Sequence, residues 1–248
     1  MRNAVAVCFL MPLLAAPGAA AAGLYESTTI VTGMDARSRP DGLMRALRQV
    51  LVKVSGNPAW LDPALHDKAG IAGTTPGDAV QSLIYLDRFT NLPKHDEQGT
   101  RDRPYDLIAR FDAAAVDTLL RKGGDKPWPL PRPVLAVAIK VTPMAGPAFA
   151  MRADTDVDER HRGALLDAAD RLGLEIALPA VLAPPPPPTG SITVEGNMVW
   201  SDTDAGWNSM WQVSIAGVAH RWEGRGEGFD AAYRTGLGGA AAVLSGHR

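Results

Sequence analysis

The sequence predicts an α+β protein of two small mixed domains, on three observations. A β-branched strand pattern and an amphipathic helix pattern open the mature chain. A segment rich in proline and glycine interrupts it at residues 123–133. An apolar strand, a helix, three alternating strands and a final helix follow. Setting aside 22 of the 248 residues as an export signal leaves 226, enough for one large core or two small ones.

The signal reading comes from residue order. Met1-Arg2-Asn3 is a short basic start, residues 4–14 are apolar, and residues 15–22 are small and alanine-rich. The apolar run is about half of the ~20 residues a spanning helix needs. Cleavage is expected after Ala22. Cys8, the one cysteine, falls inside the removed segment and too early for a lipidation site, so the mature chain carries no thiol for disulfides or metal binding. The formal charge is −2, and −3 once Arg2 is lost, which argues against nucleic acid as a partner. The Ala, Arg and Gly usage points to a bacterial source, and the periplasm or the exterior is the expected address.

The elements follow in order. Residues 25–33 hold the β-branched run from Thr28 to Thr32, a strand. Leu43, Ala46, Leu47, Val50, Leu51 and Val54 recur at helical spacing, with Arg45, Arg48, Gln49 and Lys53 on the other face. Ser38 is the expected N-cap, and Gly56 and Pro58 the stop. Residues 79–89 read as a helix end, a strand, or both. Tyr105, Leu107, Ala109 and Phe111 alternate as a half-buried strand, and Asp112 caps a helix over 113–122. Pro127, Pro129, Pro131 and Pro133 mark a linker.

Beyond the linker, residues 134–141 read as a strand covered on both faces. Residues 156–172 form a helix stopped by Gly173, and a short strand over 174–178 completes a β-α-β unit. A loop over 183–190 contains Pro184 to Pro188, a polyproline II segment. Ile192, Val194, Met198 and Trp200 share one strand face, and Trp207, Trp211, Val213 and Ile215 share another. A shorter strand over 219–223 and an Ala-rich helix over 229–244 close the chain.

Val50-Leu51-Val52-Lys53-Val54-Ser55-Gly56-Asn57, with Arg39 and Ala46-Leu47 before it, resembles the signature of an uncharacterised family of exported bacterial proteins, domain of unknown function number 2066. Phe111-Asp112, Trp128, Arg132-Pro133 and the stretch from Gly196 to Trp222 are similar to its later parts. The resemblance implies an envelope protein of mixed fold and assigns no catalytic residue.

The tempting motifs fail on chemistry. Asp154-x-Asp156-x-Asp158 has Glu159 and Leu165 where a calcium loop needs Gly and Glu, and reads as an acidic helix start. Gly224-x-Gly226-x-Gly228 lacks the following strand of a dinucleotide site and reads as a flexible turn. The five histidines show no metal-ligand spacing, although Asp158 and His161 share a helix face. Ser55-Gly56 is a helix stop and not a nucleophile elbow. Asp35, Asp41, Asp62, Asp87 and Asp202 are loop or edge carboxylates, and spacing selects no pair of them.

The tryptophans remain. Trp207, Trp211 and Trp222 are the candidate ligand or partner contacts, although their alternation with apolar residues favours core, and Trp207, beside the 203–206 turn, is the best exception. No cofactor and no metal is implied. The expected function is a non-enzymatic binding or scaffolding module of the envelope, with an envelope protein or glycan as partner and no membrane span after cleavage. An envelope hydrolase using unassigned carboxylates and a glycan-binding module using exposed tryptophans are the alternatives.

Overall fold

The computed structural model describes residues 23–68, 70, 76–90, 95, 96, 99, 100, 103–154, 158–180 and 188–247. The expected export signal, residues 155–157 and most of the proline run lie outside the described residues. The fold is mixed α+β, with five helices among the described residues, an antiparallel meander and a closing helix. No helix among the described residues is long and apolar enough to cross a membrane.

The first sheet is antiparallel in the order β1 (Glu26–Thr32), β5 (Pro104–Phe111), β2 (Val80–Asp87). Between β2 and β5 lies a short hairpin, β3 (His95–Asp96) and β4 (Gly99–Thr100). Helix α1 (Arg39–Ser55) lies on this sheet, α2 (Pro63–Lys68) follows a short turn, and α3 (Ala113–Lys122) starts on Asp112, whose carboxylate accepts from Ala115 N–H at 2.8 Å. Gly42 sets how closely α1 approaches, because a Cβ there would stand 2.4 Å from Val31 Cγ1.

The second sheet runs β11 (Val218–Glu227), β10 (Gly206–Ile215), β9 (Ile192–Ser201), β6 (Leu135–Thr142), β7 (Phe149–Ala150), and β8 (Ile176–Ala177) also pairs with β6. β6 is parallel to β8 and β9, so β6, α4 (Glu159–Leu172) and β8 form the expected β-α-β unit. β9 to β11 form the meander, and α5 (Phe229–Ser245) covers its inner face. One contiguous apolar core links both sheets through α1, α4 and α5.

Four local readings change. Val50 to Ser55 are all buried, because the sheet covers one side of α1 and α4 and residues 128–132 cover the other. Lys53 reaches out of it, its ammonium donating to Glu26 O at 3.3 Å and pairing with exposed Asp170 at 3.5 Å. Ser38 does not cap α1; its hydroxyl donates to Gly33 O, while Gly56 ends the helix in the left-handed conformation as expected. β6 is buried on one face only, and its unbroken apolar run arises from alanines at outward positions 136 and 138. β11 runs through Gly224 and Gly226, with a bulge opposite Asn208, whose side-chain oxygen accepts from Gly226 N–H at 2.9 Å, and only Gly228 stands at the strand-to-helix junction, as the N-cap of α5.

The segment 123–133 is docked on the core. Val54 O, at the end of α1, accepts from Trp128 N–H at 2.8 Å and from Arg132 at 2.9 Å. The same guanidinium donates to Gly173 O, at the end of α4, at 3.2 Å and stacks on Trp128, 4.5 Å from the ring centroid. One cation thus serves the carbonyl ends of two helices, where the dipoles favour it. Burial pulls Arg132 down to about 10, still a cation at neutral pH. Burial and then the neighbouring Asp117 carboxylate push Tyr25, beside Arg132, up to about 12.

Candidate functional site

The three tryptophans named from sequence have different fates. Trp211 is clamped between Gly196 on β9 and Gly236 on α5; a Cβ on either glycine would come within 2.4 Å of the indole. Trp222 lies on Gly239 and donates from Nε1 to Thr235 O at 3.0 Å. Both are buried in the core. Two glycines inside α5, Gly236 and Gly239, are explained by them. Each costs about 1 kcal/mol of helix propensity relative to Ala, and each opens room for an indole ring. Trp207 is also largely covered, but its ring is one wall of a groove.

That groove forms where four chain segments meet: the loop 143–149 after β6, the first turn of α4, the mouth of the β9–β10 hairpin, and the first turn of α5. Its volume is about 890 Å³, within the range of small-ligand clefts. Phe149, Trp200, Trp207 and Phe229 supply the aromatic walls, and Pro143, Pro147 and exposed Met144 line the mouth. Trp200 and Trp207 meet edge to face with centroids 5.8 Å apart, and Trp200 is held by a 2.8 Å hydrogen bond from Nε1 to Asp202.

His161 is the polar centre. Its ring packs edge to face against Phe229, Phe149, Trp207 and Tyr233, with centroids at 4.5, 5.3, 5.4 and 6.0 Å. Nδ1 lies 2.7 Å from the hydroxyl of fully buried Tyr233. Burial lowers the His161 pKa, Asp158 opposing and Arg160 assisting, so the ring is neutral at pH 7. Burial and the Asp158 charge push Tyr233 up, so it keeps its proton. That O–H needs an acceptor, and Nδ1 is the one in reach. The other nitrogen, Nε2, therefore carries the ring proton as a donor. Among the described residues neither His161 Nε2 nor Trp207 Nε1 has a hydrogen-bond partner, and neither is sealed in the core as Trp211 Nε1 is.

Asp158 and His161 do share this site, but they are not a ligand pair. The Asp158 carboxylate is fully covered and accepts from Arg152 N–H at 3.1 Å and from Arg162 at 3.2 Å. Among the described residues no group of three or more potential metal-binding side chains forms. Of the loop carboxylates, Asp35 pairs with Arg37, Asp62 accepts from Ala64 N–H, Asp87 pairs with Arg103, and Asp202 holds Trp200.

A second constellation escaped sequence reasoning. Ser245 Oγ lies 2.8 Å from His247 Nδ1, and His247 Nε2 lies 2.8 Å from Asp125 Oδ1. It has the look of a nucleophile relay, but Ser245 Oγ also lies 2.7, 3.3 and 3.4 Å from the carbonyl oxygens of Ala241, Gly56 and Ala242. A ring of carbonyls repels a developing oxyanion. The cluster instead clasps the end of α5 to the Ser55-Gly56-Asn57 corner, since Asp125 also accepts from Asn57 at 3.0 Å and Trp60 Nε1 at 2.8 Å. Burial opposes ionisation of Asp125, and the bonds from Asn57, His247, Lys126 N–H and Trp60 outweigh it, holding its carboxyl below the usual range.

Residues 19–129 match the family described as Domain of unknown function (DUF8605). That is a different domain of unknown function from number 2066, and the resemblance read from the Val50–Asn57 run does not hold. In the structure the run forms the buried end of α1 and its left-handed glycine stop. The match covers just under half of the chain and stops before the groove, whose walls all lie at residues 143–229. No curated protein and no solved structure matches the chain.

Proposed function

We propose that this protein is an exported, non-enzymatic binding module of the bacterial envelope and that the groove over His161 is its ligand site. One observation carries the reading: a neutral histidine, oriented by a buried tyrosine, offers a free N–H inside four aromatic walls. Fixed donors among apolar faces suit recognition. The relay at Ser245 is ringed by carbonyls, and the Asp158 carboxylate is covered and engaged, which favours binding over hydrolysis. Export rests on the order of charge, apolar run and small residues in 1–22.

The test is photo-cross-linking in intact cells from a reactive residue placed at Met144, at the groove mouth. A second probe sits at Met210, exposed on the opposite face of the sheet. Discrete adducts from position 144 that disappear with Trp207→Ala support the reading. Equal adducts from both positions, or none from 144, sink it. Amino-terminal sequencing of the periplasmic fraction tests export, and a mature chain starting at Met1 contradicts cleavage.

A further inference from the structure

We infer that the groove's occupant is a proline-rich segment in the polyproline II conformation, supplied by another chain; this rests on the groove being the ligand site. Two unpartnered donors stand among its aromatic walls, His161 Nε2–H and Trp207 Nε1–H. The carboxylate nearest them, Asp158, is covered and already engaged, while Glu159 and Arg160 stand exposed at the rim. A ligand suited to these two donors and to the aromatic walls presents apolar faces and acceptors. Sugars bring hydroxyl donors and would leave them unpaired against these walls. A quaternary ammonium would face two N–H dipoles of the wrong sign. Polyproline has a carbonyl at every residue, no backbone N–H, and flat apolar rings that pack on Trp and Phe. It also arrives pre-ordered, so binding costs little conformational entropy.

The chain's own sequence contains a proline run, Pro184 to Pro188 between Ala183 and Thr189. A bound run of that length would extend ~15 Å at the polyproline rise.

The experiment titrates a synthetic peptide with the sequence of residues 181–190 into two isotope-labelled proteins. One is the mature chain; the other has Pro184 to Pro188 each changed to Ser, which removes competition from the protein's own run. The readout is the tryptophan indole N–H signals. Saturable shifts of Trp207 and Trp200 in either protein support the proposal if Trp207→Phe, which keeps a ring and removes the donor, weakens affinity about tenfold or more. The Met210→Ala change on the far face leaves affinity as it was. If cello- or chito-oligosaccharide shifts Trp207 and the peptide does not, the proline assignment fails and the groove remains a ligand site. If Trp207 responds to no ligand and Met144 gives no cross-links, both readings fail together.

Discussion

Gly236→Ala on α5 should destabilise the protein, against what helix propensity alone predicts. Propensity favours Ala over Gly inside a helix by about 1 kcal/mol. The new Cβ, however, would lie 2.3 Å from Trp211 Cε2 and 2.4 Å from Cζ2. The indole cannot retreat, because Gly196 on β9 meets its other edge equally closely and the ring is almost fully buried. Overpacking of this kind costs about 1–3 kcal/mol, and a rigid ring with no free side belongs at the upper end. The net loss is about 1–2 kcal/mol, which lowers the melting temperature by about 2–8 °C in a chain of this size. Gly163→Ala on α4 is the control: its Cβ meets nothing within 4 Å, so the propensity gain appears unopposed and melting rises by about 1–4 °C. Calorimetry or urea unfolding of the two variants measures the contrast. If Gly236→Ala melts at or above wild type, the Trp211 clamp is not what holds the meander to α5.

Two further predictions follow from the buried polar groups. Arg132→Ala should cost about 2–4 kcal/mol in urea unfolding, because it strips a charged donor from Val54 O and Gly173 O. Arg132→Lys should restore less than half, since an ammonium cannot span both carbonyls and lie flat on Trp128. The His161 pKa is lowered in the fold, so the unfolded chain takes up that proton first as pH falls. Its contribution to stability is therefore full above the ordinary histidine value and declines as pH drops below it. Unfolding free energies measured from pH 7.5 to 5 should fall over the acidic part of that range, and His161→Gln should flatten the decline. A decline of equal size in the variant would place the titration elsewhere.

Two strands with one face toward water were legible from their alternation. The alternation of Leu107, Ala109 and Phe111, and of Trp207, Trp211 and Val213, gave both pairing faces correctly. Reading failed where a second layer covers an element. Lys53 reads as a solvent-facing residue and is buried, because only the fold brings α4 and Arg132 over that side of α1. The reverse error at β6 came from alanines that tolerate either environment. At the site, the tryptophan cluster was visible, but the signal that sorts its members was overlooked: glycines at 236 and 239 in a helix otherwise rich in alanine mark the two rings that pack there. The sequence shows His161 only as a helix-face neighbour of Asp158, since its partner Tyr233 is 72 residues away, and the Asp125–His247 bond spans 122. Such pairs exist only once the chain is folded.

The six tryptophan indole N–H groups report directly on where a ligand sits. They divide into the groove pair, Trp200 and Trp207, the clamped pair, Trp211 and Trp222, and the corner pair, Trp60 and Trp128. Indole proton and nitrogen shifts followed while the proline peptide or an envelope extract is added should move Trp207 and Trp200 and leave the other four in place. Shifts confined to Trp60 and Trp128, or shifts spread over all six, would contradict the groove over His161 as the site of binding.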